Sequence, residues 1–305
     1  MYRYKKLMVS LTLDDHDANL IKYAGFVSNM ADSDEIIFMY VSDHLDIPGE
    51  IKKIYPEILA PVNEAAEKRM RQIVNDHFTG SPNTRLTFKV AEGQRLAALI
   101  ACSKDRDIDL AIVATHQEDD AGNNYLAEKL ARKAFCSVLI LPENVPARLK
   151  HVLVAVDFSE NALDALDVGS AFAKAAGLEF INTVNTYWVP KGYYKTGKDY
   201  DEFAEIMLDN AKARSRKLYA GADLKGLGVK PFFLLNKNVA QGIQQFADNR
   251  DADLVVVGAR GRSGEISAIL LGSVTETLIR QMNKPLLAVK KKGEGLNILE
   301  ALSSS

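Results

Sequence analysis

Cysteine is scarce. Cys102 and Cys136 are two thiols in 305 residues, too few for a disulfide framework and without metal-ligand spacing, so both read as reduced thiols in or near the core. Long apolar runs are absent as well: no window approaches the ~18 residues of a membrane span. The apolar stretch after Met1-Tyr2-Arg3-Tyr4-Lys5-Lys6 is broken by Ser10, Thr12 and Asp14-Asp15. It reads as a strand with a polar end rather than a signal peptide, which makes a cytoplasmic protein with no membrane partner the expectation. Excess charge of one sign is missing too. Lys+Arg number 38 against Asp+Glu 40, a net charge of -2, so no basic face is expected and no nucleic-acid partner. Histidine is sparse; His16, His116 and His151 lie far apart, and no metal site is expected. Ser159 has no His and Asp partners beyond the neighbouring Asp157, which argues against a hydrolase triad.

The chain is 47% hydrophobic and 26% charged, ordinary for a globular protein, and its length suggests two domains of ~150 residues. It also repeats itself. Leu7-Met8-Val9-Ser10-Leu11 returns as Val152-Leu153-Val154-Ala155-Val156 after 145 residues. Asp109-Leu110-Ala111-Ile112-Val113 returns as Asp253-Leu254-Val255-Val256-Val257 after 144, and Ser137-Val138-Leu139-Ile140-Leu141 as Pro285-Leu286-Leu287-Ala288-Val289 after 148. Such an offset marks a duplicated domain, since solenoid periods are ~20–50 residues. The second half reads as strand 152–157, helix 161–176, strand 178–185, helix 199–220, strand 229–235, helix 239–249, strand 253–258, helix 272–282 and strand 285–290. Continuous Val/Ile/Leu strands between helices predict parallel sheets covered on both faces, hence an α/β chain of two doubly wound five-stranded sandwiches in tandem. The boundary falls in Pro142-Glu143-Asn144-Val145-Pro146-Ala147-Arg148, giving domains 1–145 and 149–292 and a tail 293–305 in which Asn297 to Leu302 can form a short helix.

Ligands of open parallel sheets bind beyond the carboxyl ends of the strands. In the second half those ends carry Ala155-Val156-Asp157, Val184-Asn185 and Gly258. After Gly258 come Arg260, Gly261, Arg262 and Gly264, and then Gly272-Ser273-Val274 opens a helix. Glycines and a helix N-terminus can turn backbone N–H groups toward an anion, and Arg260 and Arg262 can add charge-assisted bonds to phosphate. Asp157 can accept from a ribose or a base amine, and Val184 can flank the base and offer its backbone to the base edge. Each residue also has a plainer role: Asp157 as a turn cap, Gly258 as a turn residue, Gly272-Ser273 as an N-cap, the arginines as solvated loop residues. Tyr187, Trp188, Tyr193 and Tyr194 form an aromatic segment that either covers this cleft or packs over a neighbouring helix.

Four segments make the second half resemble a universal stress protein domain: Val152 to Asn161, Ala252 to Gly264, Leu271 to Leu278 and Lys284 to Val289. The likeness spans nearly all of 150–290, and the first half resembles the same family more faintly, so the chain is similar to a tandem universal stress protein. The resemblance implies the adenine nucleotide alpha hydrolase-like fold. In the ATP-binding branch it also implies a loop with nine residues between its second glycine and the Gly-Ser/Thr pair. Here ten residues separate Gly261 from Gly272-Ser273. The first half departs at each position, with Thr12 for Asp157, Ala114 for Gly258, Gln117 for Gly261 and Asn124-Tyr125 near Gly272-Ser273. Its Glu118-Asp119-Asp120 would repel phosphate. The resemblance therefore implies a stress-response protein whose second half binds ATP or a related adenine nucleotide, with or without Mg²⁺. No positioned general base is visible, so hydrolysis is expected to be slow at most. The rival reading is a nucleotide-free interaction module. In either case the halves are expected to pair as an intrachain pseudo-dimer through strands 136–141 and 285–290, because lone edge strands seek partners, and two chains can associate as a homodimer.

Overall fold

The computed structural model describes residues 4–42, 50, 54, 60–115, 125–260 and 271–291. Gly261, Arg262, Gly264, the acidic run 118–120 and the tail 293–305 lie outside the described residues. The first half runs β1 (Lys6–Leu11), α1 (Asp17–Ala31), β2 (Glu35–Ser42), α2 (Ala60–His77), β3 (Arg85–Glu92), α3 (Arg95–Asp105), β4 (Leu110–Ala114), α4 (Tyr125–Lys133) and β5 (Ser137–Leu141). The second runs β6 (Val152–Ala155), α5 (Glu160–Ala175), β7 (Phe180–Tyr187), α6 (Tyr200–Gly221), β8 (Gly228–Leu235), α7 (Val239–Asn249), β9 (Leu254–Gly258), α8 (Ser273–Gln281) and β10 (Leu286–Val289).

Each set of five strands is parallel within itself, yet the two sets form one sheet. The order is β3-β2-β1-β4-β5-β10-β9-β6-β7-β8. The join is the antiparallel pair β5–β10, in which Leu139 faces Leu287. The pairing gives β5 and β10 each a second neighbour, so neither is an exposed edge. Helices α1, α2, α5 and α6 cover one face, and α3, α4, α7 and α8 the other, which is why the strands read as unbroken apolar runs. Helix α5 lies so close to the sheet that a Cβ on Gly169 would sit 2.6 Å from Val154 Cγ2. Cys102 and Cys136 are both buried; burial pushes the Cys136 thiol up to about 12 and the Cys102 thiol up as well, so neither supplies a thiolate.

The repeat extends to backbone details. Positive φ recurs at Leu13 and Phe158, at Asp32 and Gly177, and at Asp107 and Asp251, pairs separated by the same 144–145 residues as the strands. Asp109 Oδ2 accepts the N–H groups of Lys5 and Lys6 at 2.9 and 2.8 Å. Asp253 Oδ2 does the same for Lys150 and His151 at 2.8 and 3.0 Å. In each half a carboxylate thereby ties the start of a central strand to the start of its neighbour.

An ion-pair quartet links the halves across α4 and α8. Glu128 pairs with Arg132 at 2.9 Å and with Arg280 at 2.7 Å. Glu276 pairs with Arg132 at 2.8 Å and with Arg280 at 2.7 Å. The Glu128 side chain is only 6% exposed. Burial alone would push its carboxyl up, but the Arg280 hydrogen bond and the charges of Arg280, Arg132 and Lys129 overcome this and hold it below the ordinary carboxylate value. A depressed folded-state value stabilises above the unfolded value and is lost as pH falls through the folded one. Glu128→Gln is therefore expected to lose about 2 kcal/mol at neutral pH, since it leaves two guanidinium groups undercompensated. The deficit should shrink as pH falls below the ordinary carboxylate range and through the depressed folded-state value, where the wild-type carboxyl protonates too. Urea denaturation at pH 7 and pH 3 measures both; an equal deficit at the two values would show that the charge is not what matters.

Candidate functional site

The carboxyl ends of β6, β7 and β9 open onto a cleft of about 390 Å³. β6 ends at Ala155, and the chain turns through Val156, Asp157 and Phe158 into α5. Phe158 takes φ 66°, a costly conformation for a bulky residue. Asp157 Oδ1 accepts from Ser159 N at 3.0 Å and from Ser159 Oγ at 2.6 Å, and Ser159 Oγ caps α5 by accepting from Ala162 N at 3.2 Å. Asp157 thus serves as a turn cap, and it also lines the cleft.

On the opposite side β9 delivers Gly258. A Cβ there would lie 2.8 Å from Asn161 O and 2.9 Å from its C and Cβ. Close approach to the first turn of α5, rather than a left-handed turn, is what demands glycine. Gly272 N donates to Ala259 O at 2.9 Å, and Thr275 Oγ1 donates to Gly258 O at 2.9 Å, so the start of α8 is pinned to the end of β9. The first intrahelical donor is Glu276 N, bonded to Gly272 O at 2.9 Å. The preceding amides, of Ser273, Val274 and Thr275, have no acceptor within the helix, and all three residues line the cleft. They form the first turn of α8, the positive end of its dipole.

β7 runs two residues further than its sequence suggests, to Tyr187. Val184 is consequently inside the ladder, opposite Ala155, and its carbonyl accepts Val156 N at 2.9 Å. The Val184 carbonyl is thus engaged in the sheet, and Val184 is part of the cleft wall. Asn185 Nδ2 donates to Val156 O at 2.8 Å and steadies the turn that carries Asp157. The aromatic segment divides. Trp188 lines the cleft, whereas the Tyr193 ring packs 5.6 Å from Tyr200 and 6.4 Å from Phe203 at the start of α6.

Nine sequence-predicted residues meet at this one cleft: Ala155, Val156, Asp157, Val184, Gly258, Arg260, Gly272, Ser273 and Val274. Sequence reasoning missed Thr186, Val239 and Ile243, which complete its apolar wall. The Val239/Ile243 pair, four residues apart where a helix starts after a strand, was a usable signal. The first half builds its corresponding turn differently. The Asp17 carboxylate, from α1, accepts Thr12 N at 3.1 Å and Leu13 N at 2.7 Å, so this turn has its amides occupied by its own acid. Burial raises the Asp17 carboxyl while those amides pull it down, and the net direction is up.

The sequence profile of the universal stress protein family matches residues 148–290. A universal stress protein of Thermus aquaticus is 31% identical over 142 residues, covering 46% of this chain and 98% of that protein. One from Methanocaldococcus jannaschii is 27% identical over 157 residues, covering 47% and 96%. Among solved structures, a universal stress protein from Archaeoglobus fulgidus shares the fold with TM-score 0.63 at 17% identity, over 96% of this chain and 98% of that one. A functionally unknown protein from Pseudomonas aeruginosa does so with TM-score 0.64 at 16% identity, over 99% and 98%. With nearly the whole of the Thermus relative aligned at that identity, the chain belongs to the universal stress protein family.

Proposed function

We propose that this is a stress-response protein made of two tandem universal stress protein domains, 1–145 and 149–292, and that the second binds an adenine nucleotide, ATP with or without Mg²⁺. One observation carries the reading: Ser273, Val274 and Thr275 at the start of α8, together with Arg260, Asp157 and an apolar wall, line a single cleft of about 390 Å³, within the ~300–1,000 Å³ of small-molecule sites. Polyphosphate fits the helix end, and a base fits the apolar wall. The mirrored strand order and the repeated positive-φ positions support an intrachain pseudo-dimer. Because β5 and β10 are used within the chain, a homodimer would have to form through other faces.

Slow hydrolysis at most is part of the proposal. Asp157 is the one carboxylate among the described lining residues and is already engaged by Ser159, whereas phosphoryl transfer needs a group placed to orient the attacking water. Calorimetric titration of the full chain with ATP, with and without Mg²⁺, is expected to give saturable binding of one nucleotide per chain. A flat titration at millimolar ATP, with an absorbance spectrum free of nucleotide, would favour the nucleotide-free interaction module instead.

A further inference from the structure

Among the hydroxyl and amide side chains along β7, that of Thr186 is the one buried without a hydrogen-bond partner. Thr183 Oγ1 shares a hydrogen bond with the Tyr219 hydroxyl at 2.6 Å, and Asn185 Nδ2 is held by Val156 O. Thr186 is 7% exposed and lines the cleft, yet its Oγ1 is buried with no hydrogen-bond partner. Alternation along the strand puts Thr186 on the same face as Val184. The rest of that wall is apolar, from Val184, Val239 and Ile243, with the indole of Trp188 at the rim, 43% exposed. Buried polar groups in folded proteins are nearly always hydrogen-bonded, so an orphan in a ligand-sized cleft calls for an explanation.

Resting on the nucleotide reading above, we propose that Thr186 is the specificity-determining residue of this cleft, its hydroxyl reading the polar edge of a heteroaromatic base held against the apolar wall. A threonine hydroxyl both donates and accepts, so it can serve a ring nitrogen or an exocyclic amine. Rotation about χ1 between staggered positions exchanges hydroxyl and methyl at the wall. A wall of this kind accepts a flat apolar ring face, and its single hydroxyl then discriminates among rings by their edges, as sites built to hydrogen-bond a ligand do.

The test compares full-length wild type, Thr186→Val and Thr186→Ser. ATP affinity is read by calorimetry and by the fluorescence of Trp188, the single tryptophan of the chain; melting is followed without ligand. Valine keeps the branched shape and removes the hydroxyl, while serine keeps the hydroxyl. Thr186→Val is expected to bind ATP about tenfold more weakly, the size of one lost hydrogen bond, with a melting temperature at or above wild type because an unsatisfied polar atom has gone. Thr186→Ser is expected to stay within about twofold of wild type in affinity. Equal ATP affinity in Thr186→Val and wild type overturns the inference and leaves the nucleotide reading intact. A Thr186→Val chain that melts lower and binds less would mark a packing role, which also overturns it. Failure of wild type to bind ATP removes the nucleotide reading itself.

Discussion

Ser273→Asp is expected to weaken ATP binding by at least tenfold while the unliganded chain melts at the same temperature or slightly higher. Ser273 is the first residue of α8, and its amide and those of Val274 and Thr275 precede the first intrahelical hydrogen bond. A carboxylate in the first turn of a helix is favourable by ~0.3–1 kcal/mol. The same carboxylate against a polyphosphate is repelled: two charges about 4 Å apart at an effective dielectric of ~20 interact by about 4 kcal/mol. Salt screening reduces that figure, and a loss between tenfold and a thousandfold follows. Affinity and stability thus move in opposite directions, which a folding defect does not produce. The measurement is calorimetry beside thermal melting at two salt concentrations. An affinity unchanged from wild type would place the phosphates somewhere other than α8.

Gly258→Val is expected to damage stability and binding together. The new Cβ would fall 2.8 Å from a backbone oxygen of Asn161 and 2.9 Å from its carbonyl carbon, and backbone in the first turn of a helix cannot yield as a flexible side chain does. Overpacking costs ~1–3 kcal/mol, and a backbone neighbour puts this site at the upper end, a drop of roughly 5–10 °C in melting temperature for a domain of this size. α5 is displaced at the turn that carries Asp157, so ATP affinity is expected to fall even below the melting transition. Gly192→Ala is the control, since a Cβ there meets nothing within 4 Å and its φ of -90° suits any residue. Calorimetry and melting on both variants decide the point. A Gly258→Val chain as stable as Gly192→Ala would mean that β9 and α5 are not held at this distance.

The alternation of strand and helix and the repeated strand segments were legible because both are local or self-referential. Val152 to Val154 and Leu254 to Val257 are apolar without interruption, which only strands covered on both faces tolerate. The ends of the glycine-rich segment, Gly258 and Gly272-Ser273, were legible for the same reason: a strand, a loop and a helix start are neighbours in sequence. The end of β7 was less so. Asn182, Thr183, Asn185 and Thr186 give a polar pattern that suggests a strand running out, whereas Thr183 is satisfied by Tyr219 from α6 and Asn185 by the β6 turn. Those partners are 36 and 29 residues away, outside any local window.

Sequence alone determined the class of the fold and the order of its strands and helices, since periodicity and composition report what each residue does with its immediate neighbours. Only the tertiary structure decided that the two five-stranded sets share one sheet through β5 and β10, and that Glu128 and Arg280, 152 residues apart, close an ion-pair quartet. It likewise decided that Gly258 is required by Asn161 and that Thr186, Val239 and Ile243 line one cleft with the start of α8. Such approaches depend on how right-handed crossovers stack the helices on the sheet, and no spacing along the chain encodes the distance between two elements that meet only once the core has closed.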